Sequence, residues 1–471
     1  MTDFPQRGTH TTFIGRHREL ALLEDAWAGS SSAFIPIYGR RRVGKSELIL
    51  RFLDGKSGIY FLGKQAPAAL QIREFLEEAA AVLDDPVLAG FSNEGWGPAL
   101  DAVVSRRRPG SKLVLAFDEF QWTAGASPEL PSLLQERWDR RWKSSGDVIL
   151  ILCGSYVGFM EREVLGRESP LFGRRTAQIQ LRPFGFREAA EFHPGYGPSD
   201  RARTYFLCGG VPFYLQFFSD RSSVETNVVR ELLTEHAPLF REGEFLLREE
   251  LREMESYYAI LTAIAAGHTA NQAISRATGL DPRRLHYYLQ QLRELGYLLR
   301  RYPLTGDKPA AREVRWDLDD PLLRFWFRFI FPNTSYILHM GPERAMADRI
   351  RPRLDAYFGL CFERLCREAL PLLYRREGVT AAFEIGEYWS KASQIDVVGL
   401  RDDGWTDLGE CKWGSIRSTR SVEQELDRKA AAYPNRRGAT LGRRIFVRRL
   451  PAAVQPASGT VRWHVLEDLY G

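Results

Sequence analysis

The residues with the clearest chemical meaning form a glycine-rich loop between an apolar run and a helical pattern. The loop reads Gly39-Arg40-Arg41-Arg42-Val43-Gly44-Lys45-Ser46, which has the spacing of the phosphate-binding loop of NTPases. Its glycines allow backbone N–H groups to curl around phosphate oxygens, and the following helix adds the positive end of its dipole. We therefore expect Lys45 to reach the β- and γ-phosphates and Ser46 to hold Mg²⁺.

Two apolar runs further along the chain end in polar residues. The first covers residues 112–117 and ends at Asp118-Glu119, and the second covers 148–154 and ends at Ser155. The carboxyl ends of parallel strands meet at one edge of a sheet, where nucleotides bind. We predict that Asp118 binds Mg²⁺ through its water shell and that Glu119 orients or deprotonates the attacking water. Ser155 is predicted to sense the γ-phosphate, and a simple turn residue is the alternative.

Two loops are further candidates for contact with the nucleotide. Arg174 and Arg175 follow a proline and a glycine that constrain their loop. An arginine aimed at developing phosphate charge accelerates phosphoryl transfer strongly, whereas the alternative is a pair of surface arginines. The turn Gly209-Gly210-Val211-Pro212 permits close approach of its backbone to another group. It either faces the base of the nucleotide or only joins two helices.

The C-terminal part of the chain holds a second constellation suited to phosphate chemistry. Asp396 lies in one strand-like run, while Glu410 and Lys412 lie two residues apart in the next and share one face. We predict that Asp396 and Glu410 share a Mg²⁺ that activates water, with Lys412 positioning that water. Glu363 would complete the metal shell from a preceding helix. An exposed cross-strand charge pair is the alternative, although both runs are otherwise apolar, which makes buried charge costly.

The composition indicates a globular, multidomain protein of a reducing compartment. At 471 residues the chain is long enough for roughly three domains. Its 65 Lys and Arg against 60 Asp and Glu give a net charge of only +5, so nucleic-acid contact would depend on local arginine clusters. The five cysteines form no C-x-x-C pair, which argues against a disulfide framework or zinc site. Without a secretory or membrane-spanning pattern, we expect a cytoplasmic protein with no membrane partner.

The order of helix and strand patterns predicts an α/β fold. Strand and helix alternate over residues 33–182, which is typical of a doubly wound parallel sheet. Residues 256–302 predict three helices and a strand hairpin, the order of a winged helix. Packing between domains is the alternative role for this module. Its third helix would present these residues to a major groove: Arg283, Arg284, His286, Tyr287 and Gln290.

Together these motifs resemble the archaeal-type ATPases of the STAND branch of AAA+ proteins, which carry a C-terminal restriction-endonuclease-like domain. The resemblance implies ATP as the nucleotide, DNA as the target and a position near adenine for Pro212. In one departure, Gln394 stands where the family often has glutamate. The matching stretches are Phe13-Ile14-Gly15-Arg16, the loop at 39–46, Phe117-Asp118-Glu119-Phe120-Gln121, Gly173-Arg174-Arg175-Thr176, Gly209-Gly210-Val211-Pro212, Phe325-Trp326-Phe327, Gln394-Ile395-Asp396 and Glu410-Cys411-Lys412-Trp413.

On this basis we predict five regions and three candidate functions. The regions are a P-loop ATPase core (1–185), a helical lid (186–250), a winged helix (251–315), an aromatic linker (316–351) and a restriction-endonuclease-like α/β domain (352–471). The first function is an ATP-regulated, Mg²⁺-dependent DNA nuclease. The second is an ATP switch that binds DNA or a protein partner without cutting, and the third is a regulator that reads DNA through residues 283–290. A homo-oligomer is a candidate assembly, and the sequence leaves open whether Arg174 or Arg175 acts in its own subunit or in a neighbour's.

Overall fold

The computed structural model describes residues 13–91, 95–248, 251, 253–310, 313–450 and 461–471. Residues 1–12, the start of the predicted ATPase core (1–185), lie outside these ranges. The chain divides into two compact units. The first ends at Pro183 and takes in Val211–Phe213, while the second contains Phe184–Gly210 and Tyr214–Gly471. The finer regions predicted from the sequence subdivide the second unit and stay predictions.

A five-stranded parallel sheet forms the core of the first unit. The strands are β1 (Ala33–Tyr38), β2 (Gly58–Leu62), β3 (Leu113–Asp118), β4 (Val148–Gly154) and β5 (Ile179–Gln180). Their order in the sheet is β2-β3-β4-β1-β5, and every pair is parallel. The three central strands are buried from end to end, as strands covered on both faces must be. The predicted doubly wound sheet is confirmed.

Helices cover both faces of this sheet. They are α1 (His17–Ala28), α2 (Lys45–Leu53), α3 (Ala68–Leu83), α4 (Trp96–Ser105), α5 (Phe120–Ala126), α6 (Leu130–Arg137), α7 (Lys143–Ser145) and α8 (Val157–Phe159). Side chains of β3 alternate between two apolar clusters, with Leu115 and Phe117 in one and Val114 and Ala116 in the other. This alternation gives each face of the sheet its own core.

The second unit begins with helices and continues into a compact helical module with a hairpin. The first helices are α9 (Phe186–Ala190), α10 (Pro198–Cys208), α12 (Val224–Val228) and α13 (Glu242–Arg248), while the short helix α11 (Pro212–Leu215) begins in the segment that belongs to the first unit. The module contains α14 (Met254–Ala265), α15 (Asn271–Thr278), α16 (Pro282–Glu294) and the antiparallel strands β6 (Leu298–Arg301) and β7 (Arg315–Leu318). Gly279 ends α15 with a φ of 70°, and the Asp281 side chain caps α16 by accepting from the Arg283 N–H. This order of elements is the one predicted for a winged helix.

An aromatic stretch leads into the longest helix of the chain. The helices are α17 (Pro321–Phe325), α18 (Thr334–Met340), α19 (Pro342–Ala345) and α20 (Arg351–Arg376), joined by π and 3₁₀ turns. Trp326, Phe327 and Phe329 are buried, as expected for core residues. No helix within the described ranges combines the length and apolarity needed to cross a membrane.

The chain ends in a mixed sheet flanked by helices. The elements are β8 (Phe383–Trp389), β9 (Gln394–Arg401), β10 (Trp405–Lys412), α21 (Thr419–Ala431), β11 (Thr440–Val447), β12 (Val461–Val465) and α22 (Leu466–Tyr470). The sheet order is β12-β11-β10-β9-β8, with β8 to β10 antiparallel and β10 to β12 parallel. A helix, three antiparallel strands, a helix and two strands parallel to β10 follow one another. This mixed sheet agrees with the α/β domain predicted for residues 352–471, although only β9 and β10 were predicted as individual strands. The carboxyl end of β10 is where Glu410 and Lys412 lie.

Candidate nucleotide site and candidate phosphodiester site

The phosphate loop (residues 39–46) adopts a conformation that depends on its glycines. A Cβ on Gly39 would lie 2.1 Å from the Leu181 carbonyl oxygen, and Gly44 has a φ of 90°. Lys45 opens α2, and its buried Nζ donates to the carbonyl oxygens of Gly39 at 2.9 Å and Arg40 at 3.0 Å. The ammonium therefore lies inside the curl of the loop, where phosphate oxygens can replace these carbonyls.

Arg16 braces the phosphate loop from the segment ahead of α1. Its guanidinium is buried and donates to the carbonyl oxygens of Val43 at 3.0 Å and Arg182 at 2.7 Å. The backbone of Arg16 has a φ of 58°, a conformation that few non-glycine residues adopt. Arg16 belongs to one of the stretches that carry the family resemblance, but its spacing in the sequence does not predict a contact with Val43, 27 residues later.

Asp118 and Ser46, the two residues predicted to hold Mg²⁺ in this unit, contact each other. Asp118 Oδ2 accepts from Ser46 Oγ at 2.5 Å and from the Tyr60 hydroxyl at 2.6 Å. Burial raises the pKa of Asp118, but hydrogen bonds from Cys153, Ser46 and Tyr60 outweigh burial and leave that pKa below its ordinary value. A charged carboxylate beside a serine hydroxyl is a set of hard oxygen donors, which fits Mg²⁺.

Glu119 and Ser155 meet next to this pair. Ser155 Oγ donates to Glu119 Oε2 at 2.6 Å, and Gln121 Nε2 donates to the same oxygen. Glu119 has a φ of 49° and directly precedes α5, while its N–H donates to Asp118 Oδ1 at 2.8 Å. The predicted water-activating carboxylate and the predicted γ-phosphate sensor are therefore joined by a hydrogen bond at one edge of the sheet.

The two candidate arginines have different surroundings. Arg174 Nη2 lies 2.8 Å from Asp139 Oδ2, and Arg174 Nη1 donates to the carbonyl oxygens of Pro170 and Phe172. This pairing holds the pKa of Asp139 below its ordinary value. Arg175 is exposed. Arg174 is therefore held by Asp139 and by carbonyl oxygens of its own loop, whereas Arg175 is exposed to solvent.

Pro212 lies close to the phosphate loop in the first unit. A Cβ on Gly44 would lie 3.8 Å from Pro212 Cγ, and the Arg42 guanidinium carbon lies 4.1 Å from the Phe213 ring centroid. Val211–Phe213 is the short segment that the first unit takes from within the second. These contacts place the turn beside the loop, while its predicted position near adenine stays a prediction.

The residues of the candidate phosphodiester site lie together in the second unit. Val397 faces Gly409 in the β9–β10 register, and Asp396 Oδ2 accepts from the Cys411 N–H at 2.9 Å. Burial and the charge of Glu410 raise the pKa of Asp396 to about 6. Burial and the charge of Asp396 raise the pKa of Glu363, on α20, to about 8. The pKa values of Asp396 and Glu363 are thus both raised by burial and by a neighbouring carboxylate.

Two lysines neutralise Glu410, and a further glutamate, Glu425, pairs with both of these lysines. Lys412 Nζ donates to Glu410 Oε1 at 2.8 Å and to Glu425 Oε2 at 3.0 Å. Lys429 Nζ donates to Glu410 Oε2 at 2.6 Å and lies 3.3 Å from Glu425 Oε1. Sequence reasoning missed Glu425 and Lys429. Their spacing of four on α21, directly after the E-x-K strand, was the available signal, but it resembles an ordinary surface pair.

The predicted metal ligands of this site are hard carboxylate oxygens, which suit Mg²⁺ chemically. In the part of the chain that the structure describes, however, no group of three His, Cys, Asp or Glu side chains is arranged to hold a metal ion. Both oxygens of Glu410 bind an ammonium, and Arg367 Nη1 donates to the backbone oxygen of Asp396 at 2.6 Å. A cation at Asp396 and Glu410 must therefore compete with Lys412 and Lys429.

Comparison with known families and proteins places the two sites in two matched regions. Residues 13–217 match a family of ATPase domains found predominantly in Archaea. Residues 326–424 match a family described as archaeal and bacterial proteins of unknown function. The first match contains the phosphate loop, Asp118, Glu119 and Pro212, and the second contains Asp396 and the E-x-K strand.

Two proteins of Methanocaldococcus jannaschii are similar in sequence. One, an uncharacterized protein, is 28% identical over 428 residues, which cover 89% of this chain and 92% of the relative. The other, an uncharacterized ATP-binding protein, is 48% identical over 44 residues, which cover 9% of this chain and 75% of the relative.

Two solved structures are similar in fold at low identity. The Walker-type ATPase of Pyrococcus abyssi is 18% identical and covers 69% of this chain and 99% of its own, with a TM-score of 0.48. The ORC2 protein of Aeropyrum pernix, solved with ADPNP and ADP, is 15% identical and covers 72% of this chain and 98% of its own, with a TM-score of 0.43.

Proposed function

We propose that this chain, which joins an archaeal-type P-loop ATPase domain to a C-terminal domain of the second matched family, hydrolyses Mg·ATP and couples that step to contact with DNA. The observation that carries the proposal is the meeting of two hydrogen-bonded pairs at one sheet edge. Ser46 contacts Asp118, and Ser155 contacts Glu119. This is where a parallel sheet presents its ligand-binding residues.

Each of these residues has a defined part in the proposed reaction. Lys45 exchanges the carbonyl oxygens of the loop for the phosphate oxygens of ATP, which keeps its ammonium satisfied. Ser46 and Asp118 would hold Mg²⁺, which neutralises charge between the β- and γ-phosphates when bound. Glu119 orients the attacking water or accepts its proton, and the Ser155 hydroxyl fixes the direction of that carboxylate.

Magnesium-dependent ATP hydrolysis by the full chain tests this proposal. The Asp118→Asn variant keeps the shape of the side chain but loses the charge, so we expect turnover to fall by about 100-fold or more. Asp147→Asn is the matched control, because Asp147 contacts Arg107 and Ser145 away from the phosphate loop. Equal turnover by the two variants would contradict the assignment of Asp118.

Cleavage of phosphodiester bonds by the C-terminal domain is a second candidate function. What favours it is the convergence of Glu363, Asp396 and Glu410 on one site that also contains Lys412. If a cation displaced the lysines from Glu410, carboxylates and a lysine together could activate water and stabilise a charged phosphate. The test is incubation of linear and circular DNA with Mg²⁺, with and without ATP. Equal cleavage by wild type and Lys412→Ala would contradict it.

The rival function is an ATP switch that binds DNA without cutting it. The pairing of both Glu410 oxygens with lysines favours this rival, as does Gln394 in place of a family carboxylate. Under this alternative, nucleotide co-purifies with the chain, turnover is slow, and DNA stays intact at every Mg²⁺ concentration.

The helical module offers a surface for DNA in either case. Arg283, His286 and Tyr287 are exposed on α16, while Leu285 and Leu289 on its other face are buried. An open cleft of about 500 Å³ lies between α15 and α16. We propose that this face contributes to DNA contact, and binding that survives deletion of residues 352–471 would support it.

A further inference from the structure

We propose that Arg203, Arg448 and the indole of Trp413 form a binding site for a backbone phosphate of a nucleic-acid strand at the C-terminal site. The inference rests on the proposed contact of this chain with DNA and names where that contact is made. It does not require that the strand be cut.

The position of these residues follows from the register of the C-terminal sheet. Lys412 ends β10 and faces Val447, which ends the parallel strand β11. The two residues that follow, Trp413 and Arg448, therefore leave the sheet at the same edge, and the Arg448 N–H donates to the Lys412 carbonyl oxygen at 3.2 Å. A phosphate held by Arg448 would be a neighbour of one contacted by Lys412.

The guanidinium groups of two arginines lie near the buried indole of Trp413. The indole is only 3% exposed. The guanidinium carbon of Arg448 lies 5.1 Å from the ring centroid, and that of Arg203, on α10, lies 6.0 Å away. The aromatic rings that pack around the indole are those of Phe206, Phe358 and Phe362, at centroid distances of 5.2, 6.0 and 5.5 Å.

The charges in this cluster favour an anion. Burial and then the charge of Arg203 lower the pKa of Arg448, because the two cations are close enough to repel each other. Each also has an acidic neighbour, since Arg203 Nη1 donates to Asp200 at 2.9 Å and the charge of Asp355 acts on Arg448. A phosphate between the guanidiniums would replace repulsion with charge-assisted hydrogen bonds.

Unsatisfied donors in the cluster point to the same class of ligand. Within the described residues, Trp413 Nε1 and Arg203 Nε are buried and have no hydrogen-bond acceptor. Buried donors without acceptors cost free energy, and a phosphate supplies acceptor oxygens only. The side chain of Arg448 is long and partly exposed, so it can swing aside and admit a phosphate to these donors.

Salt-dependent binding of the full chain to a fluorescein-labelled DNA duplex, without divalent metal, tests the site. For the double variant Arg203→Ala with Arg448→Ala we expect roughly tenfold weaker binding and a salt slope reduced by about 0.9 for each phosphate that the variant no longer neutralises. Lysine at both positions keeps the charge, so most of the slope should return. Arg349→Ala is the matched control, because Arg349 lies 4.5 Å from the Tyr336 ring at an exposed position.

The possible outcomes distinguish failure of this site from failure of the proposed function. If the double variant has the same DNA affinity and the same salt slope as the Arg349→Ala control, the proposed site is wrong. If the double variant does not fold, the same comparison is made with Arg448→Ala alone. Displacement of the duplex by millimolar inorganic phosphate at constant ionic strength would assign the site to free phosphate and overturn the nucleic-acid assignment. If the double variant has a reduced salt slope and the wild-type protein cleaves no DNA, the phosphate site is supported and the proposed cleavage activity is not.

Discussion

The two candidate sites both place carboxylates on strands of a sheet, but the groups that surround those carboxylates differ. Neutral hydroxyl groups of Ser46 and Tyr60 surround Asp118, and its pKa is lowered. In the C-terminal domain, burial and then a neighbouring carboxylate raise the pKa of Asp396 to about 6 and that of Glu363 to about 8.

The two sites therefore have different requirements for binding a cation. At neutral pH the phosphate-loop site already carries a charged carboxylate that needs a positive partner. The C-terminal site must first lose a proton from Glu363, and a cation must displace an ammonium from Glu410. We therefore expect the first site to bind Mg²⁺ with its nucleotide under ordinary conditions and the second to bind it weakly.

The largest effect is expected at the phosphate loop. Lys45→Ala removes the ammonium inside the loop curl, and we expect ATP turnover to fall by about 1,000-fold because transition-state charge loses its main protein partner. Lys64→Ala is the control, since Lys64 forms an exposed pair with Glu74. If Lys45→Ala turned over ATP within a few-fold of the wild-type rate, the assignment of the phosphate loop as the ATP site would be contradicted.

A pH effect on stability is expected from Glu363. Its folded-state pKa of about 8 lies above the unfolded value of 4.5, so the native state holds a proton that the unfolded state releases, and stability falls as pH rises between these values. Glu363→Gln removes this pH dependence. The free energy of unfolding of the variant, relative to that of wild type, should therefore increase by about 4 kcal/mol between pH 4 and pH 8. Denaturant unfolding at several pH values measures it. A constant difference from pH 5 to pH 8 would show that Glu363 titrates normally.

A smaller effect is expected on metal affinity. Lys429→Met removes one of the two ammoniums on Glu410, so we expect Mn²⁺ to bind about tenfold more tightly by calorimetry. Lys391→Met, at an exposed position, should leave the affinity unchanged. If Lys429→Met weakens binding instead, Lys429 supports the metal site and does not compete with it.

The smallest effect is expected from Arg174. Its pairing with Asp139 is partly exposed, so Arg174→Ala should lower the free energy of unfolding by about 0.5–1 kcal/mol and change ATP turnover less than twofold. Thermal unfolding and turnover are measured on the same preparation. A large loss of turnover at unchanged stability would identify Arg174 as the arginine that contacts phosphate.

The sequence predicted the first unit better than the second, for a physical reason. Strands β1, β3 and β4 are continuous apolar runs because a parallel sheet is covered on both faces. Strands β8, β11 and β12 were not predicted, because they mix polar and apolar residues. In β11, Arg444 is only 1% exposed and pairs with Asp407 and Glu377, whereas a run of arginines in a sequence suggests a solvated surface.

Prediction of the candidate sites from the sequence was incomplete for a related reason. Spacing within a motif was enough to predict roles for Lys45, Asp118 and Glu119, because the predicted chemistry is local to a loop or a strand end. Arg16 and Lys429 were missed because each acts on a motif from a separate element, and only the fold brings them to it. Contacts of this kind leave no fixed spacing in a sequence.

ATP turnover by the Glu119→Gln variant, measured together with retention of bound nucleotide, tests the central claim most directly. Glutamine keeps the contacts with Ser155 and Gln121 possible but cannot accept a proton. We predict that the variant retains ATP and that its turnover falls by roughly 100- to 1,000-fold. Hydrolysis at the wild-type rate in Glu119→Gln would contradict the assignment of this sheet edge as the site of ATP hydrolysis.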